Sequence, residues 1–160
     1  MTLRFDIEPV RPADGKPREA ERRAVERLVC RLLGDGAVVT HLPSGAPVTE
    51  GCHISVSHCR THAAVAVSTA APVGIDIEET RRCKAHIVSR VAHPDDSPAL
   101  SPAQAWCAKE AVFKAALIDD LTLADIAVSP VGATTRGRSF DVLFPAAPEG
   151  LCIALAYESE

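Results

Sequence analysis

The sequence predicts an α+β protein of two similar half-domains, each a helix packed on a small antiparallel three-stranded sheet, with a ligand site at their junction. Three observations carry this expectation. An amphipathic helical segment precedes three short strand-like runs, a second helical segment precedes three more, and a stretch rich in turn residues joins the two sets. The repetition is one of element order, since no residue-by-residue repeat is present.

From Arg18 to Leu33 the apolar residues Ala20, Ala24, Val25, Leu28, Val29, Leu32 and Leu33 recur at helical spacing, with Pro17 suited to the first turn and Gly34 to the stop. After a Gly/Pro-rich loop (42–47), strands are expected at Cys52–Ser57, Ala63–Ser68 and Val73–Glu78. Ser101-Pro-Ala-Gln104 is a helix start, with Ser101 as N-cap and Gln104 reaching back to it. That helix runs to about Ile118, and strands near Leu123–Val128, Ser139–Phe144 and Leu151–Tyr157 follow. The expected organisation is therefore an N-terminal half over 1–80, a connection over 81–100 and a C-terminal half over 101–160. Neither half is large enough to be stable alone, so the two should pack together with a groove between them.

Composition removes several function classes. With 47% apolar residues the chain can bury a core, yet no apolar run approaches the roughly 20 residues that cross a bilayer. Arg4, Asp6 and Glu8 interrupt the first ten residues where a signal peptide would be apolar, so the expectation is a cytoplasmic protein, and a monomer. A net charge of −4 argues against binding to nucleic acid, which draws its affinity from many Lys and Arg contacts to phosphate. Positive charge is local, in Arg18, Arg22, Arg23, Arg27 and Arg31 and again in Arg81, Arg82 and Lys84, where anions could dock. The six cysteines include no CxxC pair and are expected as reduced structural thiols. Cys52, His53, His58, Cys59 and His62 form a local group of zinc-ligand types, but without the paired spacing that zinc sites use.

Chemistry is suggested by two segments. In Gly74-Ile-Asp-Ile-Glu78 the strand period sends Ile75 and Ile77 to one face and Asp76 and Glu78 to the other, their Cα atoms about 6.6 to 7 Å apart. An edge strand with a wet face would show the same pattern. In the second helix Trp106, Glu110 and Lys114 form one stripe at i, i+4 and i+8, beside a stripe of Lys109 and Phe113. Three carboxylates and a lysine suit Mg²⁺, which takes oxygen ligands and shares its shell with phosphate. A surface salt bridge between Glu110 and Lys114 is the plain alternative. His58, at the end of its strand, could donate to a phosphate.

His53-Ile-Ser-Val-Ser-His58, Ala63-Ala-Val-Ala-Val-Ser68, Val73-Gly-Ile-Asp-Ile-Glu78 and Trp106-Cys-Ala-Lys-Glu-Ala-Val-Phe-Lys114 resemble, in that order, the signatures of 4′-phosphopantetheinyl transferases, nearest to the pseudo-dimeric class that activates carrier proteins. The resemblance spans about residues 18 to 118. It implies transfer of 4′-phosphopantetheine from coenzyme A to a serine of an acyl or peptidyl carrier protein, with release of 3′,5′-ADP. It also implies that Asp76, Glu78 and Glu110 bind the magnesium ion, and that Lys109 and Lys114 meet the coenzyme A phosphates. Ser57 and His58 match the pair at the 3′-phosphate, and Ala46 and Pro47 lie in the loop against the adenine nucleotide. Catalysis would then rest on Glu110 as base, Lys114, Asp76 and His58. The chain departs from the family pattern at Ala46, where Lys or Arg is usual, and in the short stretch between Glu78 and Trp106. A non-catalytic relative that binds coenzyme A or a carrier protein is the alternative reading.

Overall fold

The structure, a computed structural model, describes residues 2–12 and 16–159. Three helices and ten strands follow in the order β1 (Leu3–Pro9), α1 (Pro17–Leu33), β2 (Thr40–His41), β3 (Pro47–Val48), β4 (His53–His58), β5 (His62–Ser68), β6 (Val73–Glu79), α2 (Ala85–Val88), α3 (Pro102–Ala116), β7 (Ala127–Val128), β8 (Gly132–Thr135), β9 (Arg138–Leu143) and β10 (Leu151–Glu158), counted over the described residues. Both long helices start where their sequence signals place them. Pro17 occupies the first turn of α1, and at α3 the Ser101 hydroxyl accepts from Gln104 N while the Gln104 side chain accepts from Ser101 N at 3.0 Å. α3 ends at Ala116, because Leu117 turns left-handed at φ 50°.

The strands form a three-stranded sheet in the order β1-β5-β4, a five-stranded sheet in the order β6-β10-β9-β8-β7, and a β2-β3 hairpin. Three differences from the sequence expectation follow. The Val73–Glu79 strand, expected to complete the first sheet, pairs antiparallel with β10 in the second, Ile77 opposite Ile153 and Ile75 opposite Leu155. Its expected place is taken by β1, whose Leu3, Phe5 and Ile7 alternate with Arg4, Asp6 and Glu8 and pair with β5. The acidic side chains of β1 are neutralised by α1: Arg31 Nε lies 2.8 Å from Asp6, and Arg27 and Arg31 both reach Glu8. The segment 123–128 is a helical turn and a two-residue strand, because Thr122 and Asp125 cap each other reciprocally.

The layers run α1, first sheet, second sheet, α3. α1 packs Ala20, Ala24, Leu28, Val29 and Leu32 on one face of the first sheet, against Ile54, Ala63, Val65 and Val67. The other face gives Ala64 and Ala66 to Ile75, Ile77, Ile153 and Leu155 of the second sheet. β5 is thus buried on both faces, which is why Ala63–Val67 reads as a continuous apolar run instead of alternating. α3 covers the far face of the second sheet, on Ala154, Ala156 and Cys152.

β6 is the edge strand of the second sheet and adjoins the first. Beyond its pairing with β10, its outward N–H groups at Ile75 and Ile77 donate to the hydroxyls of Ser55 and Ser57 at 3.1 and 3.3 Å, so β4 and β6 run side by side in the same direction, joined by serine side chains. On its other face Gly74 has no side chain where α3 crosses: a Cβ there would stand 1.8 Å from the carbonyl oxygen of Ala111. Among the described residues no helix is long and apolar enough to cross a membrane.

Gly74→Ala must push α3 away from the sheet. It should destabilise the protein by about 3 kcal/mol or more, the upper range for overpacking, read as a fall in the denaturant midpoint at unchanged m-value. A variant as stable as the wild type would mean that α3 does not rest on β6 at this point.

Candidate functional site

The close crossing of α3 over β6 brings four of the anticipated side chains to one place. Lys114 extends from the last turn of α3 and donates to Asp76 Oδ1 at 2.8 Å and to the Ile75 carbonyl at 3.0 Å. Asp76 Oδ1 also accepts from the Ser57 hydroxyl at 2.8 Å. Glu78 lies on the same face of β6 two residues on, its Oε1 accepting from the backbone N–H of Glu79 at 2.8 Å. Glu110, one turn before Lys114, looks across at them: burial first, and then the Asp76 and Glu78 carboxylates, raise its pKa against the opposing effect of Lys114. The wet-face alternative for Asp76 does not hold, since it is only 6% exposed. Nor is Lys114 paired with Glu110 in a surface salt bridge; its partner is Asp76.

The donors at this place are hard carboxylate oxygens, the type that Mg²⁺ selects. Carboxylates brought to one place repel one another, and a divalent cation would relieve that repulsion. As placed, they are not closed around a point: among the described residues no group of three or more His, Cys, Asp or Glu side chains stands ready to hold a metal ion. The Cys52–His62 group is dispersed too. Cys52 packs against the α1 core, Cys59 is buried, and His53 is exposed.

The remaining anticipated residues stand as follows. Lys109, expected at the coenzyme A phosphates, is completely buried; its ammonium donates to the Ile126 carbonyl and sits 2.9 Å from Asp96 Oδ1. Asp96 also accepts from Val128 N at 3.0 Å and His93 N at 2.8 Å, so the pair pins the connecting segment to α3 and β7. Ser57 is buried, and its hydroxyl is committed to Ile77 N and Asp76. Ala46 and Pro47 belong to the β2-β3 hairpin beside β4 and do not line the groove described next. His58 stands on the surface, its Nδ1 3.7 Å from Glu21 of α1.

A groove of about 480 Å³ opens beside Glu78 and is lined by Arg60, Arg81, Arg82 and Lys84, with Trp106 in its wall. Arg81 is partly neutralised by Glu79, 2.7 Å away. The Cys83 thiol in the same wall is pushed up to about 12, chiefly by burial, so it stays protonated and is no nucleophile. The Arg81-Arg82-Lys84 run is visible in the sequence, but nothing there ties it to Glu78. Arg60, in the β4-β5 turn, carries no signal.

Residues 72–138 match the family model of the 4′-phosphopantetheinyl transferase superfamily. The matched segment contains Asp76, Glu78, Lys109, Glu110 and Lys114, and excludes Ser57, His58, Ala46 and Pro47. No curated protein matches the chain significantly.

Two outcomes check this geometry. A raised carboxyl pKa in the folded state contributes stability below the unfolded value of about 4.5, lost as pH rises through the folded value. Glu110→Gln should therefore match the wild type near pH 4 and exceed it in thermal stability at pH 7; an equal or lower midpoint at pH 7 would mean that Glu110 is not held against its neighbours. At the second pair, Asp96→Ala strands a buried ammonium and should cost about 3 to 5 kcal/mol, whereas Lys109→Met should cost clearly less. Loss of coenzyme A affinity in a stable Lys109→Met protein would return Lys109 to the ligand site.

Proposed function

We propose that the chain transfers 4′-phosphopantetheine from coenzyme A to a serine hydroxyl of an acyl or peptidyl carrier protein, with Mg²⁺ as the required ion and 3′,5′-ADP as the leaving product. The observation that supports this reading most is the meeting of Asp76 and Glu78 from β6 with Glu110 and Lys114 from α3, inside the segment matched by the phosphopantetheinyl transferase family. Asp76, Glu78 and Glu110 would hold the magnesium ion, which when bound supplies Lewis-acid polarisation of the coenzyme A pyrophosphate.

The chain's own residues account for the remaining needs. In the transfer the serine oxygen bonds to the phosphorus that carries the pantetheine arm, the bond from that phosphorus to the bridging oxygen breaks, and the serine proton must be taken up. Serine is a poor nucleophile until a base accepts that proton. Glu110 suits the task, directly or through a water, because burial makes it a stronger base than an exposed carboxylate. Lys114 exchanges its contacts with Asp76 and Ile75 for the pyrophosphate and stabilises the charge that gathers on the leaving group. Arg60, Arg82 and Lys84 make the groove beside Glu78 positive on a chain of net charge −4, a local field that favours anionic substrates.

Incubation with coenzyme A, Mg²⁺ and a panel of apo carrier proteins should add the mass of one phosphopantetheine to at least one carrier, and excess chelator should stop it. Asp76→Asn, which preserves the hydrogen bonds of a buried side chain, and Glu110→Gln should each lower the rate by more than about 10²-fold, while Lys114→Met should slow transfer and weaken coenzyme A binding together. No transfer to any carrier, or full rates in all three variants, would overturn the reading.

A further inference from the structure

Ser55 and Ser57 occupy alternate positions on β4, both buried, and both accept a backbone N–H from β6, Ser55 from Ile75 at 3.1 Å and Ser57 from Ile77 at 3.3 Å. Among the described residues only Ser57 makes a second bond: its hydroxyl donates to Asp76 Oδ1 at 2.8 Å. The two bonds form one directed chain. With the Ile77 N–H occupying a lone pair of the oxygen, the Ser57 proton is turned toward the carboxylate. Oδ1 of Asp76 thereby receives Ser57 from one side and Lys114 from the other.

We infer that Ser57 is a positioning residue that orients the Asp76 carboxylate for a divalent cation, and that it does not contact coenzyme A. The inference rests on the proposed reading of Asp76 as a metal ligand. A hydroxyl that donates to a ligating carboxylate fixes the side-chain torsion and leaves Oδ2 as the free oxygen, an outer contact of the kind whose removal costs about 10- to 100-fold in metal affinity. Ser55 supplies an internal control, because it too is buried and accepts a β6 backbone N–H but lacks the link to Asp76.

The test is a titration of the full chain with Mn²⁺, followed by proton relaxation without coenzyme A, and a separate calorimetric titration with coenzyme A without a divalent ion. Ser57→Ala should weaken Mn²⁺ binding at least about tenfold and leave coenzyme A affinity unchanged. Ser55→Ala should lose comparable thermal stability with Mn²⁺ binding intact, and Ser57→Thr, which keeps the hydroxyl, should restore it. If Ser57→Ala does not fold, Ser57→Cys, similar in volume and a weak donor, is read by the same criteria. Unchanged Mn²⁺ affinity in the Ser57 variant, equal losses of Mn²⁺ affinity in the Ser55 and Ser57 variants, or a fall in coenzyme A affinity alone would each overturn the inference while leaving the proposed function standing. A wild-type chain that binds no divalent ion would instead remove the metal reading, and this inference with it.

Discussion

The distance between α3 and β6 is set where Gly74 leaves room for the backbone of α3 at Ala111, and the site follows from that distance. At this separation Lys114 bonds both the carbonyl of Ile75 and the carboxylate of Asp76. The contact also fixes which helix positions face the strand. With Ala111 and Ala115 seated at Gly74, Glu110 and Lys114 are carried to the flank where Asp76 and Glu78 emerge. One small residue therefore determines both the packing and the electrostatic neighbourhood.

That neighbourhood works against stability, and the surroundings compensate for it. Glu110 is partly desolvated beside two carboxylates, and Lys114 offsets only some of the repulsion. Asp76 is deeper still and is supported by an ammonium and a hydroxyl. The compensation is in the layers on either side. β5 is buried on both faces, and Ile75, Ile77, Ile153 and Leu155 fill the space between the sheets. Each fully buried side chain of this size contributes about 1.5 to 3 kcal/mol. The Lys109–Asp96 pair holds the opposite flank of α3 to the connecting segment, so the helix that bears the site is fixed on two sides.

Much of this was legible in the sequence, and what was not has definite physical causes. Both long helices were readable because their signals are local: a proline in the first turn, a capping box and 3.6-residue periodicity. Asp76, Glu78, Glu110 and Lys114 were readable as two faces because strand and helix periods are local as well. The partner of β6 was not, since pairing with β10 is a contact across more than seventy residues, and a strand of alternating Ile and acid is compatible with either sheet. β1 gives no clear local signal although its alternation is regular, because its charged residues speak for solvent and only Arg27 and Arg31 of α1, distant in sequence, neutralise them.

Lys109 and Ser57 show why motif membership and side-chain role separate. Both sit at positions where the family resemblance places a ligand contact, and both are turned inward here. For Lys109 the deciding partner, Asp96, lies in the stretch where the chain departs most from the family spacing, so no local pattern could announce that the lysine would be consumed by an internal ion pair. A fully buried ammonium also has its pKa lowered by desolvation, which makes a nearby carboxylate a requirement of the fold. For Ser57 the deciding fact is direction. A hydroxyl beside a strand edge can serve a ligand or the neighbouring strand, and the free N–H of Ile77 selects the second. Once that N–H has taken the lone pair, the proton has Asp76 before it, and a residue that looked like a ligand contact becomes part of the support on which a metal-binding carboxylate would depend.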